Sequence, residues 1–324
     1  MKNFMNCAEQ HMNCTQRCIE GRKNMKYIDL CGMKMSQIVL GTDGYGERIS
    51  EATARELMTE YIKCGGNVID TARLYCGGKS EEIIGRYLAD TGLRDKVYIS
   101  TKCSHPPLGH MEISRLDRDS IEYDVEKSLD ALGIDTIDIL WLHRDDISKP
   151  VEPIIDALND IADSGRVKRV KNFGASNWSF ERIAEANEYA KSVGKRGFMA
   201  SQALYNMATC SKVWDNTLAV IEGGEKKKYD ESHFPVFAFC SQAKGFFEKY
   251  HDGKLSEKAK ERYLNAESLK TYEKIFARAQ NEKKSISCTA LEMLSEQSDF
   301  DVFPIIGPTG VGQLRQTILS EDDR

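Results

Sequence analysis

What most constrains this chain is an alternation that runs nearly its whole length. Eight short apolar or β-branched runs (38–41, 67–70, 97–101, 138–142, 170–175, 199–202, 236–239 and 302–306) are separated by stretches of helical length. Parallel strands cannot be joined by a tight turn; each crossover takes a dozen or more residues, usually a helix. The alternation therefore predicts a parallel sheet, and eight is the count that closes a (β/α)8 TIM barrel. Ahead of it, 27–30 and 33–36 flank Cys31-Gly32 and read as a β-hairpin. The expected fold is α/β: a single barrel over 26–324 with an N-terminal hairpin, preceded by a frayed extension over 1–25.

Helices are expected over 51–64, 80–89, 119–132, 151–164, 179–193, 213–221, 285–295 and 311–319. Ser50 before Thr53, and Ser80 before Glu81 and Glu82, place capping oxygens and early acids at helix starts. Ile154, Ile155, Leu158 and Ile161 recur at helical spacing. The Lys-, Glu- and Ala-rich segment 256–280 reads as one extra helix before the last strand–helix unit, and 225–228 as a solvated loop.

Composition excludes several classes. Forty-five Lys and Arg against fifty Asp and Glu leave a charge of −5, without the basic excess of a nucleic-acid binder. No apolar run approaches the roughly 20 residues that cross a bilayer, and the start lacks the apolar segment of a secretory signal. The cytoplasm is the expected compartment, and the ten cysteines are expected to be reduced thiols. Cys7, Cys14 and Cys18 form no CxxC pair, which argues against zinc; no metal site is expected.

Barrel enzymes carry their chemistry at the carboxyl ends of the strands. Those ends here bring Asp70, with Tyr75 five residues on, then Lys102 and His143. Each alone has a structural reading: a turn cap, packing, a loop lysine, a core histidine. Together on one rim they suit carbonyl reduction. Asp70 holds Lys102 charged, the ammonium makes the Tyr75 phenol more acidic than its ordinary value near 10, and Tyr75 protonates an oxygen gaining negative charge. His143 hydrogen-bonds the same oxygen. Hydride must come from a cofactor. The GTDGYG run at 41–46 lacks GxGxxG spacing, so a nicotinamide would lie across the barrel mouth. Ser176, Asn177 and Gln202 suit its carboxamide, and Tyr205 offers a ring for stacking.

These residues resemble the aldo-keto reductase superfamily from about Tyr27 to Leu319. The strongest piece is NVIDTARLYCGGKSEEIIG, followed in order by STK, WLHRDD, FGASNW, SQALYN, FAFCSQAKGFF and PIIGPTGVGQL. The resemblance implies that Asp70, Tyr75, Lys102 and His143 form a catalytic tetrad and that NADPH is the cofactor, with NADH open. It implies cofactor contacts from Gly41, Thr42, Ser176, Asn177, Gln202, Tyr205, Phe239, Cys240, Ser241, Lys244 and Gly245. Gly307, Pro308, Thr309, Gln313 and Thr317 fall where the family binds the adenosine phosphate. That stretch lacks the Lys or Arg that often pairs with a 2′-phosphate; only Arg315 and Lys244 are basic nearby.

The sequence ends soon after the last expected helix, so specificity is expected from 103–118 and 207–232 rather than a long C-terminal loop. Trp141, Trp178 and Trp214 are candidate walls for a small carbonyl substrate, an aldehyde or ketone of the often sugar-related kind that the resemblance of WLHRDD, CSQAKGFF and FPIIGP implies. Arg144, Asp145 and Asp146 either meet a polyol or pair among themselves, and His105 and His110 are read as substrate contacts or exposed residues. Monomer and homodimer both remain open. A metal hydrolase would need an HxH pair, which is missing, and a glycosidase would need two rim carboxylates. A nicotinamide-binding regulatory subunit with little turnover is the remaining alternative.

Overall fold

The computed structural model describes residues 25–165 and 169–319. The extension over 1–25, with Cys7, Cys14 and Cys18, lies outside them apart from Met25. Strands β1 (Tyr27–Leu30) and β2 (Met33–Ser36) form the antiparallel hairpin. Eight parallel strands follow: β3 (Val39–Gly41), β4 (Val68–Asp70), β5 (Tyr98–Cys103), β6 (Ile137–Leu142), β7 (Val170–Ser176), β8 (Phe198–Leu204), β9 (Val236–Phe239) and β10 (Val302–Ile306). They close on themselves, β10 pairing with both β9 and β3. This is the expected TIM barrel.

The helices that pack outside it are α1 (Glu51–Lys63), α2 (Lys79–Thr91), α3 (Arg118–Leu132), α4 (Val151–Ala162), α5 (Phe180–Ser192) and α6 (Gly223–Ser232). They continue with α7 (Phe246–His251), α8 (Glu257–Tyr263), α9 (Ala266–Glu282), α10 (Ile286–Glu296) and α11 (Val311–Ile318). Several start where a short oxygen can accept an otherwise unpaired N–H. Ser50 caps α1, Asp117 caps α3, Ser179 caps α5 and Ser285 caps α10.

Inside the barrel the strands contribute a dry aromatic filling. Phe237 and Phe303 stack with centroids 4.5 Å apart, and Trp141 meets Phe237 edge-on at 5.0 Å. Gly174 on β7 makes room for the indole: a Cβ there would lie 2.2 Å from the Trp141 ring. Met33 and Met35 of β2 join the same apolar cluster as Val39, Val68 and Phe303. The hairpin thus belongs to the barrel core rather than standing apart from it.

Three local expectations are corrected. No helix forms over 213–221, because Asp215 accepts from both the N–H and the hydroxyl of Thr217, which favours a turn over a helix. The helix comes later, as α6, and contains the run 225–228 that reads as a loop. Its charges pair along the helix, Lys226 with Asp230 and Lys227 with Glu231, while Tyr229 is buried beneath. The single extra helix expected over 256–280 is two, α8 and α9, parted at Leu264.

Candidate active site

The carboxyl ends of the strands open into a cleft of about 780 Å3. At its floor Lys102, on β5, is buried. Its Nζ donates to Asp70 Oδ2 at 2.5 Å and to the Thr71 carbonyl at 2.8 Å. The other Asp70 oxygen accepts from Ser100 Oγ at 2.8 Å and Gln202 Nε2 at 3.1 Å. Ser100 in turn accepts from Trp141 Nε1 at 2.7 Å. A buried ion pair holds only where its remaining lone pairs are also satisfied, and here both carboxylate oxygens are.

Tyr75 sits in the turn after β4, where Cys76, Gly77 and Gly78 all take left-handed backbone. Its ring lies 4.8 Å from Lys102 Nζ and 5.9 Å, edge-on, from His143. Left-handed backbone in non-glycine residues is uncommon and gathers at functional sites. Of nine such residues among the described ones, six sit in loops around this mouth: Cys76, Ser104, Asn177, Cys240, Ala243 and Lys244.

The charges of this group are set by burial and by one another. Burial alone would push the Lys102 ammonium down, but Asp70 and Tyr75 beside it leave it above its ordinary value. Burial pushes the Tyr75 phenol above 10, and the opposing pull of Lys102 does not restore it. This reverses the expectation of a more acidic phenol: Tyr75 keeps its proton firmly. Burial, then the Lys102 and Arg144 cations, hold His143 well below the usual imidazole range, so the ring is neutral at pH 7.

Other expected residues divide into those the cleft gathers and those it does not. Ser176, Asn177 and Gln202 line it beside Asp70, Tyr75 and His143, with Gly41 and Thr42 across the mouth. Asn177 Nδ2 donates to the His143 carbonyl at 3.2 Å. Phe239, Cys240, Ser241, Lys244 and Gly245 line it from the segment at the end of β9, and Gly307, Thr309, Gln313 and Thr317 from the segment after β10 and from α11. Cys240 is a thiol pushed up to about 11 by burial, and Ser241 Oγ donates to the Ile305 carbonyl at 2.7 Å.

Tyr205 is a correction. Its ring packs against Phe300 and its hydroxyl meets Ser298 at 2.8 Å, in the core rather than in the cleft. Phe239 is the ring that borders the cleft instead. Pro308 is buried outside the lining. Trp141 and Trp178 are fully buried and wall no substrate pocket; Trp141 fills the barrel and supports Asp70 through Ser100. Trp214 lies between Lys244 and Arg262, 4.7 and 4.3 Å from its ring centre. Arg144 does line the cleft, while Asp145 pairs with Arg182 at 3.4 Å and Asp146 bonds Ser148.

With this geometry in place, comparison with known proteins decides the family. A model of the Aldo/keto reductase family matches residues 37–322. The chain belongs to the aldo/keto reductase family. It is 28% identical over 292 residues to norsolorinic acid reductase B of Dothistroma septosporum, covering 85% of this chain and 71% of that protein. It is 32% identical to an aryl-alcohol dehydrogenase of Pestalotiopsis microspora, over 59% of this chain and 50% of the relative. A rice protein (Oryza sativa subsp. japonica) named "Probable voltage-gated potassium channel subunit beta" is 31% identical, over 59% of this chain and 58% of the relative. In the last two cases the match spans only half to 58% of the relative's length. The family supports an oxidoreductase acting on small carbonyls with a nicotinamide cofactor. Among the described residues no helix is long and apolar enough to cross a membrane.

Several residues that line or support this aldo/keto reductase's site escaped the sequence reading. Ser100 shares a strand face with Lys102, two residues away, and that period could have flagged it. Glu248, Lys249 and Ser287 also line the cleft, but their segments carry no motif that announces it.

Proposed function

We propose that this chain reduces the carbonyl of a small aldehyde or ketone to an alcohol, with NADPH as hydride donor and Tyr75 as general acid. The observation that carries the reading is the buried Asp70–Lys102 pair against the Tyr75 ring, at the floor of a cleft of about 780 Å3. Bound nicotinamide supplies the hydride. As the carbonyl carbon is reduced, its oxygen takes the Tyr75 proton, and the phenolate left behind faces the Lys102 ammonium. A phenol held above 10 is still a competent donor, because the alkoxide it protonates is the stronger base. Neutral His143 orients the same oxygen without competing as an acid.

The cleft's lining fits the cofactor. Ser176, Asn177 and Gln202 offer amide and hydroxyl partners for a carboxamide, and Phe239 the stacking face expected of Tyr205. Toward α11, Lys244 and Lys249 are the cations for a 2′-phosphate, since Arg315 is tied to Glu60 at 2.7 Å. A second reading, cofactor binding without turnover, draws on the rice relative's name alone. One experiment separates the two: oxidation of NADPH and NADH followed across aldehydes and ketones, with alcohol quantified. Matched loss of NADPH and gain of alcohol is expected. Tight cofactor binding with no alcohol from any substrate would favour the regulatory reading, and faster turnover with NADH would transfer the cofactor assignment.

A further inference from the structure

The tetrad accounts for the carbonyl oxygen but not for two polar groups beside it. His105, on the loop after β5, lines the cleft and meets His143 edge-on with ring centres 4.8 Å apart. Its Nδ1 lies 2.6 Å from the Pro106 carbonyl, which can only accept, so Nδ1 carries the proton. Burial, with Arg144 adding to it, pulls His105 below its ordinary value, so the ring is neutral and Nε2 is left as an acceptor. Among the described residues nothing bonds that nitrogen.

Arg144 follows His143 directly and lines the same cleft. Its Nε donates to Thr217 Oγ1 at 3.1 Å and Nη1 to the His143 carbonyl at 2.9 Å, and Nη2 reaches Asp215 at 3.5 Å. A guanidinium has five N–H groups, so donors remain. A half-buried acceptor and a half-buried donor thus border the place where the substrate's carbonyl must lie. A hydroxyl is the substituent that satisfies both, donating to one and accepting from the other.

We propose that His105 Nε2 and Arg144 form an oxygen-reading pair that selects carbonyl substrates bearing a hydroxyl on the adjacent carbon. The inference rests on the carbonyl-reduction reading and names the substrate class of that site. An alkyl substituent would leave both groups desolvated and unpaired, which costs more than a hydrogen bond gains, and this asymmetry is what makes the pair selective. Arg144 also borders a neighbouring cavity of about 690 Å3, where Ser114, Ser148, Asn216 and Thr217 offer further partners to a longer polyol.

The test compares glyceraldehyde with 2-methylbutanal, the same skeleton with methyl groups in place of both hydroxyls. The ratio of their kcat/KM values is measured in the parent enzyme, in His105→Phe, which keeps a ring against His143, and in Arg144→Met. The parent should favour glyceraldehyde, and each substitution should shrink the ratio about tenfold, the scale of one lost hydrogen bond. If one variant fails to fold, the other gives the same readout. Turnover of both aldehydes with an unchanged ratio in the variants would overturn the pair alone. No turnover of either by cofactor-loaded parent enzyme would overturn the carbonyl-reduction reading and the pair with it.

Discussion

His143 shows how a single residue's surroundings decide its role. An imidazole in water titrates near 6.5, yet here burial and the nearby cations keep the ring neutral. The unfolded chain therefore binds a proton that the folded protein refuses. Stability from this group is complete above 6.5 and is lost as pH falls from there toward the depressed folded value. Urea midpoints taken above and below pH 6.5 should fall more steeply in the parent than in His143→Gln; equal slopes would mean that the ring is freely solvated. The same scale shows what a sequence can and cannot reveal. Asp70, Lys102 and His143 are legible because a strand end fixes which end of the barrel they reach. Tyr205 and Trp141 are not, because neighbours far along the chain decide which way their rings turn: Ser298 and Phe300 for one, Ser100 and Phe237 for the other.

Among the elements, β7 carries the tightest steric requirement. The bulky indole of Trp141 on β6 lies over Gly174, so Gly174→Ala forces a methyl into a ring inside a packed barrel. Overpacking of this kind costs about 1–3 kcal/mol, read as a lower urea midpoint with an unchanged slope. A neutral effect would show that the indole can move. Because Trp141 also supports Ser100, kcat should drop together with stability. Seven of the eight expected strand-to-helix units were legible from period and caps. The failures lie where local pattern and long-range pairing disagree. The apolar residues of 213–221 suggest a helix that the Asp215–Thr217 turn refuses, whereas the charged start of α6 hides a helix anchored by buried Tyr229.

For the whole molecule, closure of the barrel puts the chemistry at one end and a plug at the other. Met35 of the hairpin is wholly buried in the barrel's apolar cluster. Met35→Ala should therefore cost about 2–5 kcal/mol on urea unfolding, while the cleft at the opposite end keeps its cofactor affinity. Loss of that affinity in still-folded protein would couple the two ends. The fold was readable because eight crossovers leave little choice of topology, and the site because a barrel has one functional end. The depth of burial was not readable, and burial is what reverses the expected acidity of Tyr75. The central claim is that this phenol delivers the proton, with Lys102 ready to stabilise the anion it leaves. The most direct measurement is the single-turnover rate of NADPH oxidation by Tyr75→Phe beside its NADPH affinity. The account predicts a rate at least about a hundredfold lower with affinity nearly unchanged. A rate equal to that of the parent would contradict it.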